Sequence, residues 1–90
     1  MLKENLPIVN ALGLHARAAA RLVRLAGKFE CSISLVRDDT QLTANAKSIL
    51  SVLHLAASFG TGLSVITEGV DEAEAVAAVR ELFESGFGEL

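Results

Sequence analysis

Residues 31–45 read CSISLVRDDTQLTAN, and the alternation within them decides the architecture. Cys31, Ile33 and Leu35 fall on one face of a strand and Ser32, Ser34 and Val36 on the other, the period of two that a half-buried strand requires. The run breaks at Asp38 and Asp39, and TQLTAN (40–45) resumes a weaker alternation. The stretch predicts a hairpin. Its apolar face needs a second layer to cover it, and Cys31 on that face reads as an inward residue.

The chain on either side supplies the layer. Over residues 16–28, Ala19, Leu22, Val23 and Ala26 recur at the spacing of a buried helical stripe, while Arg17, Arg21, Arg24 and Lys28 fall on the opposite face. In KSILSVLHLAAS (47–58), Ile49, Val52, Leu53 and Ala56 repeat that spacing behind Ser48, a natural N-cap. Before the first helix, residues 3–10 carry Leu6, Ile8 and Val9; Pro7 cannot donate to a ladder, so this strand belongs at a sheet edge. Beyond Gly60 and Gly62, LSVIT (63–67) gives a fourth strand. Gly69 then turns the chain into Asp71, and Glu74 three residues on suggests a capping box for a last helix reaching about Ser85, with Gly86 as its stop. The order β-α-β-β-α-β-α predicts an α+β fold, one antiparallel sheet with three helices on a single face, as one domain over residues 1–90.

Composition narrows the function. Eleven acids against eight bases give a net charge of −3, and with no Trp, no Tyr and four Phe there is little to neutralise phosphates or stack on bases; nucleic acid is excluded as a partner. No apolar run approaches the roughly 18 residues of a membrane span, MLKENLPIVN is too polar for a secretory signal, and one Cys permits no internal disulfide, so a cytoplasmic location is expected. The charge is uneven. No acid occurs between Glu4 and Glu30, whereas residues 71–90 hold Asp71, Glu72, Glu74, Glu81, Glu84 and Glu89 against Arg80 alone, which predicts a basic and an acidic end.

His15 stands where the first helix begins, in LGLHARAAA (12–20). A helix start offers N–H groups without intrahelical partners and about half a positive charge, which disfavours imidazolium and favours an anion. A neutral ring nitrogen there could attack phosphorus and hold the phosphoryl group against those amides, with the planar fork of Arg17 beside it. Position alone fits a plain surface histidine equally well. His54, with no Cys or carboxylate at ligand spacing, reads as packing or surface, and no metal is assigned.

GLHARAA, NAKSIL ahead of the second helix and the element order together resemble HPr, the histidine-containing phosphocarrier family of the bacterial phosphoenolpyruvate-dependent phosphotransferase system. The closing ELFESGF resembles its nitrogen-related branch more than its sugar branch. The resemblance implies an open-faced β-sandwich with sheet order 1-4-2-3, and a monomeric carrier rather than an enzyme, with no cofactor of its own. It implies that His15 accepts phosphate from phospho-Enzyme I and passes it to an EIIA-type acceptor, and that Arg17 stabilises the phosphate. It further implies that Ser48 is the serine a regulatory HPr kinase/phosphorylase modifies, and that Ala16, Ala20, Arg21, Arg24, Ile49, Leu50 and Leu53 meet partners. Ser48 as a plain N-cap stays equally open, as does a regulatory module working through it. A short helix buries one stripe, so some of Ile49, Leu50 and Leu53 should be exposed, Leu50 first; the arginine face is equally readable as solvated surface. Two features depart from the family pattern. Ala18 stands where proline is usual, and the stretch from His15 to Ser48 is slightly long, an excess expected in the Arg37–Thr40 turn.

Overall fold

The computed structural model describes all residues 1–90. Its elements are β1 (Leu2–Pro7), α1 (Ala16–Ala26), β2 (Ser32–Arg37), β3 (Thr43–Asn45), α2 (Ile49–His54), β4 (Gly62–Glu68), α3 (Glu72–Glu84) and a short 3₁₀ turn (Gly86–Gly88). The strands form one sheet in the order β1-β4-β2-β3, every pair antiparallel. β4 is central: Val65 lies opposite Glu4 on one side and Leu35 on the other. The alternation seen in the sequence holds, with Ile33, Leu35, Leu63 and Val65 buried towards the helices and Ser32 and Ser34 on the open face. Leu22 from α1, Val52 from α2 and Val79 and Phe83 from α3 close over them in one cluster of 21 buried residues.

Each boundary that differs from the sequence reading has a local cause. β1 ends at Pro7, and the Ile8 N–H donates instead to Thr61 O (2.9 Å) in the loop before β4. In α1 the stripe is Ala18, Ala19, Leu22 and Ala26; Val23 is half-buried. The second hairpin strand covers only residues 43–45, because the turn runs to Leu42, whose carbonyl accepts from the Arg37 N–H (2.8 Å). The Arg37 side chain turns inward and donates to Leu55 O (2.9 Å) and Ala56 O (3.2 Å), closing α2 after one and a half turns although LAAS continues the apolar pattern. The expected capping box at Asp71 is absent. Glu74 is exposed, and the Asp71 carboxylate accepts from the backbone N–H groups of Glu30 and Cys31 (both 2.8 Å), tying the start of α3 to the start of β2. Glu72 does the local work, accepting from the Gly69 N–H (3.0 Å).

Two predictions follow from this packing. Phe83→Ala, which empties the centre of the α3 contact, should lower the unfolding free energy by about 3–5 kcal/mol in urea titrations, whereas Leu50→Ala on the exposed side of α2 should stay within about 0.5 kcal/mol. The Glu30 and Cys31 amides hold the Asp71 carboxyl below its ordinary value of 3.8, so its stabilising effect is complete above that range and lost as pH falls through it. Thermal midpoints measured from about pH 5 to about pH 2 should therefore fall less steeply in Asp71→Asn than in the parent, the variant having already lost the contribution at pH 5.

Candidate functional site

The loop joining β1 to α1 is pinned against the loop before β4. Gly60 N–H donates to Ile8 O (2.9 Å) and Leu14 N–H to Ala57 O (2.9 Å). Gly13 makes this approach feasible: its φ is +67°, and a Cβ there would lie 2.6 Å from Ala57 O. The chain therefore enters α1 from a fixed position, with His15 as the N-cap in an extended conformation.

The ring does the work of a capping serine. His15 Nδ1 accepts from the Arg17 N–H (3.3 Å), and its carbonyl accepts the Ala19 N–H (2.8 Å). With Nδ1 as an acceptor, a neutral ring carries its proton on Nε2, and that nitrogen lies 2.5 Å from Glu89 Oε2. The same oxygen takes Arg17 Nε (3.0 Å) and Nη2 (2.9 Å), while Oε1 takes the buried Asn10 Nδ2 (2.9 Å). Asn10 Nδ2 also donates to Gly13 O (2.9 Å), so one amide ties the loop to the carboxylate. The Asn10 amide, followed by His15 and Arg17, holds the Glu89 carboxyl down at about 2, and at neutral pH it is an anion with a side chain only 11% exposed.

Glu89 gets there by a turn. Gly86, Phe87 and Gly88 have φ of +60°, +56° and +77°, and the reversal sends the chain back across α1. Phe87 is fully buried against Phe83, ring centroids 4.9 Å apart, and its carbonyl accepts from Arg21 Nη1. The two ends of the charge distribution, expected to lie apart, meet here. Arg21 is accordingly not free for a partner along its whole length.

The other predicted residues spread around this centre. Ala16 and Arg24 are exposed and Ala20 half-buried on α1, where Arg21, Arg24, Leu25 and Lys28 line a depression of about 190 Å³. α2 packs beside α1. Ser48 is its N-cap, with Oγ accepting from the Ser51 N–H (3.3 Å); Ile49 and Leu50 are 39% and 77% exposed, whereas Leu53 packs against the core. His54 is exposed at the end of α2, and Cys31 is buried. Asn10 and Glu89 were missed by sequence reasoning. The one signal was the acid-rich tail set against an acid-free stretch around His15.

Chemically, the arrangement is an unprotonated ring nitrogen at a helix start where the Ala16 and Ala18 amides have no acceptor within the chain. That geometry suits an anion bonded to Nδ1. No three His, Cys, Asp or Glu side chains gather in a set that could hold a metal ion, and no helix is long and apolar enough to cross a membrane.

The family model described as "PTS HPr component phosphorylation site" matches residues 2–85. The phosphocarrier protein HPr of Xylella fastidiosa is 46% identical over 89 residues, covering 99% of this chain and 98% of that protein, and the Neisseria meningitidis HPr is 40% identical with the same coverage. The crystal structure of an HPr from Thermoanaerobacter tengcongensis superposes with a TM-score of 0.92 at 41% identity, covering 100% of this chain and 99% of that one. Matched along nearly its whole length, the chain belongs to the HPr family: it is a phosphoryl carrier of the phosphotransferase system and not a catalyst.

Proposed function

We propose that His15 is the residue that carries the phosphoryl group, taking it from phospho-Enzyme I and yielding it to an EIIA-type acceptor. The observation that supports this is the orientation of the ring: Nδ1 faces the amide of Arg17 at the open start of α1, with the Ala16 and Ala18 amides adjoining. In the forward step the Nδ1 lone pair attacks phosphorus, an N–P bond forms, and the bond from phosphorus to the donor's leaving atom breaks with its electron pair returning to the donor. Helix-start amides and the Arg17 guanidinium then face the phosphoryl oxygens. Ala18 serves this arrangement, since alanine keeps an N–H that the family's usual proline lacks.

Docking falls to the surface around His15. Ala16 and Ala20 leave α1 flat enough for close approach, Arg24 offers a free positive charge, and Ile49 and Leu50 supply exposed apolar area on α2. Leu53 acts from beneath by supporting α2, and Arg21 splits its guanidinium between the surface and Phe87 O.

A second reading, regulation at Ser48 by an HPr kinase/phosphorylase, draws on the position of Ser48 immediately before Ile49 and Leu50. A phosphate there would be tolerated by the helix start and would set a dianion beside the apolar docking residues.

Incubation with phosphoenolpyruvate and Enzyme I should place acid-labile phosphate on the parent chain and none on His15→Ala; labelling of that variant sinks the proposal. Arg17→Ala should keep the fold while slowing transfer roughly 10- to 100-fold in single-turnover measurements, the scale expected for loss of a charged group that faces the transferring phosphoryl. For the second reading, Ser48→Asp should weaken transfer from Enzyme I mainly through a higher KM, and an unchanged KM counts against it.

A further inference from the structure

We propose that Glu89 is a positioning residue for transfer at His15: its carboxylate holds the ring proton on Nε2, commits Nδ1 as the attacking nitrogen, and stabilises the cationic ring formed when the phosphoryl group arrives. This rests on the carrier reading of His15 given above.

The geometry separates the two ring nitrogens by their partners. Nδ1 meets a backbone N–H, which can only donate, and Nε2 meets a carboxylate, which when ionised can only accept. The opposite tautomer would set N–H against N–H on one side and lone pair against anion on the other. One tautomer is therefore selected by two contacts, the shorter of them 2.5 Å to a nearly desolvated anion.

The charge balance makes the contact stronger after transfer than before it. A neutral ring that attacks through Nδ1 keeps its Nε2 proton and becomes a phosphoimidazolium, and the hydrogen bond to Glu89 changes from neutral donor and anion to cation and anion. Such a carboxylate acts through the histidine without touching phosphorus. Protonated at Nε2, the ring is also the better leaving group when the acceptor attacks, so the same proton serves loading and unloading.

The carboxylate is itself held from every side. Asn10 from the loop after β1 fixes Oε1, Arg17 from α1 shares Oε2, and Phe87 anchors the turn behind it by burial against Phe83 and by the Arg21 bond to its carbonyl. His15 and Arg17 are the charged or titratable groups in contact with Glu89, and Arg21 stands behind it at the Phe87 carbonyl. A surface ion pair serving only Arg17 would need none of the buried anchoring.

The test is Glu89→Gln, which keeps shape and removes charge. Nitrogen-15 spectra of the His15 ring should show the Nε2–H tautomer in the parent and a mixture of both tautomers in the variant. Phosphorylation by Enzyme I should lose roughly 10- to 100-fold in kcat with KM changed less than about 2-fold, and Glu89→Asp should recover part of the loss. An unchanged ring spectrum together with an unchanged kcat overturns the role of Glu89 while leaving His15 as carrier. A parent chain that takes no acid-labile phosphate fells the carrier reading instead, and the spectra, which need no donor, still judge whether Glu89 sets the tautomer.

Discussion

The pairing of β4 with β1 on one side and β2 on the other is the constraint from which the rest follows. A strand placed last among four in the chain lies second in the sheet, so both its ends are drawn between earlier segments. The loop leading into β4, residues 57–61, is thereby brought against the loop leaving β1, and the bonds from Ile8, Leu14 and Gly60 lock the two together. α1 starts where that lock ends. The helices need only cover one face, which Leu22, Val52, Val79 and Phe83 do; on the other face Ser32 is exposed and Ser64 is covered by its bonds with Asn5 and Asp38.

On this frame the site is a conflict settled locally. A helix start favours anions, yet an anion is already present: Glu89 sits against the ring and against Arg17. The two demands are met on opposite edges of one imidazole, the carboxylate on Nε2 and the open amides by Nδ1. The arrangement compensates Arg17 with a charge that the fold supplies and leaves the Ala16 and Ala18 amides without an acceptor from the chain.

Much of the fold was legible because its signals are short-ranged. The alternation over 31–37, the spacing of Leu22 and Ala26, the N-cap at Ser48 and the edge strand at Pro7 each concern residues that interact within a few positions or with solvent. His15 and Arg17 were legible for the same reason, being two residues apart on one helix start. What escaped notice crosses the chain. Asn10 and Glu89 are 79 residues apart, His15 and Glu89 are 74 apart, and nothing in GFGEL marks its carboxylate as a partner for a ring. The supposed capping box failed similarly, since the amides that claim Asp71 belong to Glu30 and Cys31; the second helix is short as its sequence suggests, but its end is fixed by Arg37 from the preceding hairpin.

Those separations bear on how the molecule comes into being. Contacts that join distant positions close large loops and form slowly, after the local hairpin and helices exist. The clamp from Asn10 through Glu89 to His15 is among the most distant in the chain, whereas α1 and its histidine form from neighbouring residues. Completing the site therefore depends on the turn through Phe87, whose burial against Phe83 brings the far end of the chain back to the start of α1.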